Sequence, residues 1–210
     1  LLNRVPGRVK EEITRGLHEK SRETPKPGSR IFDRVHNILV GTNRSSCLAA
    51  ATHLKKLGYH TLVLSTQVQG ESKEVGKICA GILHDMKSGT TLPPPCAIVA
   101  GGETTVTIKD GGKGGRNQEL VLSAALNISG LKNVVIASMG TDGVDGPTDA
   151  AGSIADGQTL ERAKRLNLES KRFLETHNSY LFFKKLGGLL ITGPTGTNVN
   201  DVMVLIAGKD

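Results

Sequence analysis

The sequence predicts an α/β protein, with a three-layer α/β/α arrangement around a mostly parallel, mixed sheet. From about residue 37 onward, short apolar runs rich in β-branched residues alternate with longer stretches of helical periodicity. Strands separated by helices of this length pair in parallel through right-handed crossovers. The 210 residues are enough to bury a core. We assign residues 1–36 to a helix and linker that lead into one domain, residues 37–210.

The amino-terminal segment predicts one charged helix followed by an extended linker. Val9, Ile13 and Leu17 recur at intervals of four residues, so 6–20 is predicted to be a helix with a single apolar stripe. The two prolines and the glycine within 24–28 exclude a helix there and favour extended backbone.

Strands and helices alternate along the rest of the chain. The predicted strands are 37–41, 61–65, 96–100, 104–108, 134–139, 188–192 and 202–207, and the predicted helices are 43–57, 72–86, 116–127, 156–166 and 170–185. The strand at 104–108 is separated from the preceding strand by only a tight turn. We therefore expect it to run antiparallel, which makes the sheet mixed.

Composition argues against nucleic acid as a partner. The formal net charge is +7, but the chain has no Trp, two Tyr and four Phe, so a surface for stacking bases is not expected. No Lys/Arg-rich block with interleaved aromatic residues occurs. The positive charge suits a polyanionic small substrate or simple solubility.

Cysteine usage predicts a reducing compartment. Cys47, Cys79 and Cys96 are an odd number of cysteines without a C-x-x-C spacing. They indicate buried, reduced thiols of a cytoplasmic protein rather than disulfides or metal ligands. No apolar run approaches membrane-spanning length, so we expect no membrane partner.

A polar, glycine-rich loop follows the apolar run 134–139. Residues 140–152 contain Asp142, Asp145 and Asp149 together with four glycines and a proline. Packing gains nothing from this composition, whereas carboxylates in such a loop can accept hydrogen bonds or bind a cation. Open α/β sheets place their chemistry where such strands end. The alternative is a tight connection whose Asp side chains only cap turns.

The three carboxylates do not fit a calcium-binding loop, which needs Asp or Asn at alternate positions and a Glu at the twelfth. They could hold Mg²⁺ together with substrate phosphates, or one could serve as a base toward a hydroxyl. No G-x-S-x-G nucleophile elbow occurs, so hydrolase chemistry has little support. We interpret His177, the one histidine near a glycine-rich segment, as a solvated or capping residue.

Further loops share this polar, glycine-rich character, at 41–44, 101–104, 111–119 and 193–201. Most directly follow an apolar strand, so parallel strands would gather them at one edge of the sheet. In 111–119, glycines allow backbone N–H groups to approach an anion, and Arg116 opens a helix from which it can contact a phosphate or carboxylate bidentately. The loop contains neither G-x-x-x-x-G-K-[ST] nor G-x-G-x-x-G. A flexible hairpin with Arg116 paired to a surface carboxylate is the alternative.

Four motifs in a fixed order carry a family resemblance. They are G-G-E-T-T-V at 101–106, G-K-G-G-R-N-Q-E at 112–119, G-T-D-G-V-D-G-P-T-D-A-A-G at 140–152 and T-G-T-N-V-N-D at 195–201. Together they closely resemble the MOFRL domain of glycerate 2-kinases, and the resemblance covers nearly the whole chain.

The resemblance implies enzymes of two α/β domains, with the active site in the cleft between them. Such enzymes transfer the γ-phosphoryl group of ATP to the 2-hydroxyl of D-glycerate, with Mg²⁺. This chain resembles their carboxy-terminal domain, and the amino-terminal domain, which brings a catalytic lysine in the family, is then missing. We therefore expect the isolated chain to be inactive and its own amino-terminal domain to be its partner. A homodimer is left open.

The resemblance also implies roles for individual residues. It makes Arg116 the catalytic arginine, which stabilises charge on the transferring phosphoryl group. It makes Asp142 the catalytic aspartate, positioned for the glycerate hydroxyl or for Mg²⁺. From the chemistry of the carboxylates in 140–152, Asp145 is a second candidate metal ligand. The remaining motif residues are expected to bind substrate or phosphates: Gly101, Gly102, Glu103, Thr104, Asn117, Thr141, Asp145, Asp149, Thr195 and Asn198.

Two rival functions stay open. A non-catalytic ligand-binding or partner-docking module would use the same loops without chemistry. Some members of the family carry the label hydroxypyruvate reductase, which this sequence does not support because it has no dinucleotide fingerprint.

Overall fold

A computed structural model of the protein describes residues 5–19, 24–108 and 111–209. Residues 20–23 and 109–110, predicted to belong to the first helix, the linker and a loop, lie outside the described residues. The chain divides into two compact units, Leu1–Val40 and Gly41–Asp210.

The first unit contains helix α1 (Gly7–His18) and a short 3-10 turn (Arg30–Phe32), and none of their residues is buried. The strand predicted at 37–41 is not formed. Ile38, Leu39 and Val40 are 79%, 87% and 96% exposed, and no described strand pairs with them. A strand forms only where a neighbour supplies its hydrogen bonds, so an apolar run alone was insufficient evidence.

The second unit contains six helices and six strands within the described part of the chain. The helices are α2 (Asn43–Lys56), α3 (Ser72–Ser88), α4 (Arg116–Asn127), α5 (Thr159–Arg165), α6 (Ser170–Glu175) and α7 (Ser179–Leu186), and the strands are β1 (His60–Val68), β2 (Cys96–Gly102), β3 (Val134–Gly140), β4 (Gly152–Asp156), β5 (Leu189–Leu190) and β6 (Asp201–Ala207).

Local chemistry sets several of these helix boundaries. Thr42 and Ser45 form a capping box that opens α2, since each side chain binds the backbone N–H of the other. Gly89 ends α3 and Gly187 ends α7, both in the left-handed conformation that glycine adopts without strain.

The sheet has the strand order β1-β2-β6-β3-β4-β5. The predicted α/β fold with a mixed sheet is confirmed. Strands β1 and β2 pair in parallel, whereas the other four neighbouring pairs are antiparallel. Four strands (β1, β2, β3 and β5) share one direction, but the pairing differs from the mostly parallel pairing predicted, because β6 inserts antiparallel between β2 and β3. The partner of a strand is a long-range property that its own residues do not encode.

Helices cover both faces of the sheet. On one face, Cys47, Ala51 and Leu54 of α2 pack against Ala97 and Val99 of β2. On the other face, alternate residues of β2, β3 and β6 pack against α3, α4 and α7 in the larger core. Helix α4 is buried at every residue from Asn117 to Ala125, so it is the central helix of this layer. Among the described residues, no helix has the length and apolar character needed to cross a membrane.

Three further elements differ from prediction. The segment 104–108 forms no strand, and only Thr105 makes an isolated parallel bridge, to Glu71. Strand β4 lies where a loop was expected, antiparallel to β3. The helix predicted over 170–185 is divided into α6 and α7 by a turn in which His177 has a φ of +54°. In each case tertiary contacts override a weak local pattern.

The buried cysteines give a testable prediction. All three are free and buried, as the sequence predicted, and burial raises the pKa of the Cys79 thiol to about 11. Because the thiolate is the reactive form, we expect fewer than one thiol per native chain to react rapidly with Ellman's reagent at about pH 8. After denaturation, all three cysteines should react. A rapidly reacting thiol in the native chain would contradict the buried placement.

Candidate functional site

The glycine-rich loops meet at one edge of the sheet. Strands β2 and β3 end where β6 begins, so that Gly102 and Gly140 both pair with Asp201. The loops are also tied together directly. The backbone N–H and hydroxyl of Thr141 donate to Asn200 O at 3.0 and 2.7 Å. The predicted gathering of these loops at one edge is therefore present in the structure. We call this edge, formed by residues 101–104, 111–119, 140–152 and 193–201, the loop edge.

Arg116 is held by a buried carboxylate at this edge. Its Nε donates to Asp201 Oδ2 at 2.6 Å and its Nη2 to Asp201 Oδ1 at 2.9 Å, while Nη1 lies 3.5 Å from Glu103 Oε1. The Asp201 side chain is fully buried and that of Arg116 is 27% exposed. The hydrogen bond to Asp201 raises the pKa of Arg116. The guanidinium thus stays charged in one fixed orientation, with Nη1 on the Glu103 side.

The role of Asp201 was not predicted from the sequence, where this residue ends the T-G-T-N-V-N-D motif and stands directly before the apolar strand 202–207. A carboxylate directly before an apolar strand was the available signal, because such a group must find a charged partner when the strand is buried. The alternative, a flexible hairpin with Arg116 paired to a surface carboxylate, differs from the structure in that the bidentate partner Asp201 is fully buried.

Asp142 lies at the same edge of the sheet as Asp201, the carboxylate that holds Arg116. Its Oδ1 accepts a hydrogen bond from the Val144 N–H at 3.0 Å, and its Oδ2 accepts one from Asn198 Nδ2 at 3.3 Å. A Cβ placed on Gly140 would lie 3.0 Å from Asp142 Oδ1 and 3.6 Å from Asp201 Oδ1. The two carboxylates therefore flank Gly140, and the structure brings both predicted catalytic residues into one neighbourhood.

Asp145 has a structural role in place of the substrate and metal roles predicted for it. Its side chain is fully buried. Oδ1 accepts from the N–H and Nδ2 of Asn117 at 3.0 and 3.2 Å, and Oδ2 accepts from the N–H and Nε2 of Gln118, both at 2.9 Å. Burial raises the pKa of Asp145, and these four hydrogen bonds oppose that effect. Its carboxylate caps the first turn of α4, so the anion at this helix N-terminus is the protein's own.

Four more predicted binding residues are buried, namely Gly101, Gly102, Thr104 and Asn117. The two glycines are paired within the sheet with residues of β6. The Thr104 hydroxyl lies 2.8 Å from the Ser72 hydroxyl, and Asn117 Oδ1 accepts from Ser138 Oγ. These contacts hold the loops at this edge of the sheet together, and among the four residues Thr104 also lines the cavity described below.

The other predicted residues are accessible. Thr195 donates through its hydroxyl to Thr141 O at 2.6 Å, so it supports the loop that carries Asp142. Asp149 is exposed and belongs to a surface cluster with Tyr180, whose hydrogen bond lowers the pKa of Asp149, and with Lys113 and Lys184. Glu103 and Asn198, the partners of Arg116 and Asp142, are exposed.

A cavity of about 370 Å³ opens beside Arg116. Its wall includes Glu103, Thr104, Glu119, Pro147 and His177. Glu119 follows Arg116 by three residues on α4, so both side chains lie on the same face of the helix. His177 Nδ1 lies 2.9 Å from Glu119 Oε2, with the two side chains 13% and 3% exposed. His177 is therefore held against a buried carboxylate, in contrast to the solvated or capping histidine that we predicted.

The residues at this edge fit a magnesium ion only in part. No group of three or more His, Cys, Asp or Glu side chains that could hold a metal occurs among the described residues. Asp142 is an accessible hard oxygen ligand of the kind Mg²⁺ uses together with substrate phosphates. Asp145 does not fit, because all its hydrogen-bonding capacity is committed to α4.

The chain is thus an α/β/α domain in which Arg116, anchored by a buried carboxylate, and a polar, Asp-rich loop lie at one edge of a mixed sheet. The model of the MOFRL family matches residues 96–201, and the chain belongs to this family.

Relatives of known name resemble nearly the whole chain. It is 44% identical to the glycerate 2-kinase of Pyrococcus horikoshii over 205 residues, covering 97% of this chain and 46% of that protein. It is 35% identical to a putative hydroxypyruvate reductase of Agrobacterium vitis, covering 94% of this chain and 45% of that protein. The crystal structure of glycerate kinase from Thermotoga maritima superposes with a TM-score of 0.81 at 38% identity, over 94% of this chain and 50% of that one. The chain thus spans about half the length of these relatives.

Gly115 tests the capping role of Asp145. A Cβ at this position would collide with the Asp145 carboxylate, which is buried and cannot move away without losing its hydrogen bonds. We expect Gly115→Ala to lower the free energy of unfolding by about 2 kcal/mol or more, measured by denaturant titration.

Gly111→Ala is the matched control, because a Cβ there meets no atom of the described residues within 4 Å. It should change the free energy of unfolding by less than about 1 kcal/mol. Equal stability of the two variants would show that Asp145 is not fixed against Gly115.

Proposed function

We propose that this chain is the carboxy-terminal half of a glycerate 2-kinase, which transfers the γ-phosphoryl group of ATP to the 2-hydroxyl of D-glycerate. The observation that carries the proposal is the guanidinium of Arg116, fixed by the fully buried Asp201 at the same edge of the sheet as the Asp142 carboxylate. The names of the Pyrococcus and Thermotoga relatives support the same reaction.

Phosphoryl transfer demands mainly positioning and charge stabilisation from a protein. A guanidinium locked by a bidentate ion pair needs no reorganisation when negative charge develops on the transferring group. Arg116 therefore stabilises that charge. Glu103 lies 3.5 Å from Nη1 of Arg116, and in this proposal the phosphoryl group replaces Glu103 as the partner of Nη1.

Asp142 is the accessible carboxylate that binds either the glycerate hydroxyl or Mg²⁺. The magnesium ion, when bound, would neutralise phosphate charge. The hydrogen bonds that Asp142 accepts from Val144 and Asn198 fix the carboxylate plane for this purpose. In this proposal an amino-terminal domain supplies the catalytic lysine, so the chain alone does not turn over. The reduced, buried thiols suit a cytoplasmic enzyme.

The Agrobacterium relative is named a putative hydroxypyruvate reductase, but the glycine-rich loop before α4 does not offer the dinucleotide-binding site that a reductase requires. A dinucleotide would place its pyrophosphate at a helix N-terminus. The first turn of α4 is instead occupied by the Asp145 carboxylate. A reductase would thus need another site for its cofactor.

The decisive assay incubates the full-length protein that carries this chain with D-glycerate and MgATP and identifies the product by ³¹P NMR. We expect 2-phosphoglycerate and ADP. Formation of 3-phosphoglycerate, or oxidation of NAD(P)H with hydroxypyruvate in place of phosphorylation, would overturn the proposal.

Arg116→Lys and Asp142→Asn test the two catalytic assignments. Lysine keeps the positive charge but cannot make the two parallel hydrogen bonds to Asp201. Asparagine keeps the acceptor for the Val144 N–H but loses the negative charge. Each should lower kcat by about 10²-fold or more in the same assay. The unfolding midpoint should change little for Asp142→Asn but fall for Arg116→Lys, because the buried Asp201 loses its bidentate partner.

Arg162→Lys is the matched control for the arginine. Arg162 also forks onto a carboxylate, through Nη1 and Nη2 to Asp156, but on the surface outside the loop edge. This variant should retain full kcat. Near-normal turnover by Arg116→Lys would remove Arg116 from the catalytic machinery.

Asp201→Asn tests whether Asp201 acts through Arg116. Loss of the fixed guanidinium orientation should lower kcat by about 10²-fold, since a displacement of about 1 Å is enough for such a loss. In the Arg116→Lys background the same substitution should have little further effect. Independent, multiplying effects in the double variant would show that Asp201 does not act by positioning Arg116.

A further inference from the structure

The pair formed by Glu119 and His177 has no role in the function proposed so far. Glu119 is 2% exposed and both residues line the cavity beside Arg116. Glu119 Oε2 is 2.9 Å from His177 Nδ1, whereas Glu119 Oε1 is buried and has no hydrogen-bond partner among the described residues. A buried carboxylate with one partner depends strongly on that partner.

The 2.9 Å contact suits the tautomer in which Nδ1–H donates to a Glu119 carboxylate, and the proposal below assigns this tautomer to the ring. The lone pair of the neutral imidazole is then on Nε2. No hydrogen bond to Nε2 exists within the described ranges, and the ring forms part of the cavity wall.

The backbone around His177 is braced from the loop before α4. Lys113 N–H donates to Asn178 Oδ1 at 3.0 Å, and Tyr180 N–H donates to Lys113 O at 3.1 Å. His177 itself has a φ of +54°, in the left-handed region. Because both the ring and its backbone are held, the imidazole faces the cavity in one defined orientation.

We propose that His177 Nε2 accepts the proton of the substrate hydroxyl during phosphoryl transfer, with Glu119 as its positioning residue. The assignment rests on the proposed glycerate 2-kinase function and names the base of that same site. It leaves Asp142 to face Mg²⁺. A carboxylate that orients a histidine and stabilises its protonated form is the arrangement by which many enzymes activate a hydroxyl.

The hydroxyl oxygen of D-glycerate forms a bond to the γ-phosphorus, and the bond from that phosphorus to the β,γ-bridging oxygen breaks. ADP leaves with the electron pair of the broken bond. The hydroxyl proton moves to His177 Nε2, where the resulting imidazolium is paired with Glu119, and later passes to solvent.

His177→Asn separates this role from a structural one. The Asn side-chain amide can replace Nδ1–H as the donor to Glu119, and Asn tolerates positive φ better than most residues, but the variant has no counterpart of Nε2. We expect its unfolding midpoint to stay within about 3 °C of the parent. Its kcat for 2-phosphoglycerate formation should fall by about 10²-fold or more, with a much smaller change in the KM for D-glycerate.

Glu119→Gln tests the positioning role in the same assay. It should lower kcat, and the double variant with His177→Asn should be no slower than His177→Asn alone. If the parent protein forms 2-phosphoglycerate and His177→Asn keeps kcat within about threefold, the inference fails while the kinase function stands. If the parent forms no 2-phosphoglycerate, the kinase function fails, and this assignment fails with it.

A measurement on the chain itself tests the geometry without any substrate. In ¹⁵N-histidine NMR spectra, the signals absent from His177→Asn identify His177. We expect the neutral ring to carry its proton on Nδ1, and Glu119→Gln to weaken that preference. A neutral His177 with its proton on Nε2 would overturn the proposal whatever the substrate.

Discussion

The loop edge depends above all on the buried Asp145 carboxylate. A charged group with no access to water is tolerated only when hydrogen bonds replace its hydration, and Asp145 receives four of them from Asn117 and Gln118. These bonds join the loop after β3 to the first turn of the central helix α4. The orientation of α4 in turn directs Arg116 and Glu119 toward one cavity. The Asp loop therefore builds the site as much as it supplies reactive groups.

The insertion of β6 completes this arrangement. The last strand of the chain enters between β2 and β3, which places Asp201 between Gly102 and Gly140 at the ends of both strands. The bidentate contact from Asp201 then fixes Arg116. A charge buried at a strand terminus and an arginine at a helix start thus stabilise each other, and each would be costly to bury alone.

The two interpretations of the Asp loop both hold, for different residues. Asp145 caps a helix, as the turn-capping alternative supposed, while Asp142 remains partly accessible at the same edge of the sheet. Asp149 lies in a separate surface cluster with Tyr180. Neighbouring carboxylates in one glycine-rich loop therefore have three different environments. Residue type and spacing could not separate them, because burial of each side chain depends on which helix packs against the loop.

The sequence by itself determined the α/β class, most helices and strands of 41–210, the buried cysteines and the concentration of polar loops at strand ends. Each of these follows from local periodicity or composition. Tertiary structure alone decided the position of β6, the buried state of Asp145 and Asn117, and the partners Asp201 and Glu119 of Arg116 and His177. These depend on contacts between residues as far apart as Arg116 and Asp201, 85 positions along the chain. Such contacts are set by packing of whole elements, which no short stretch of sequence encodes.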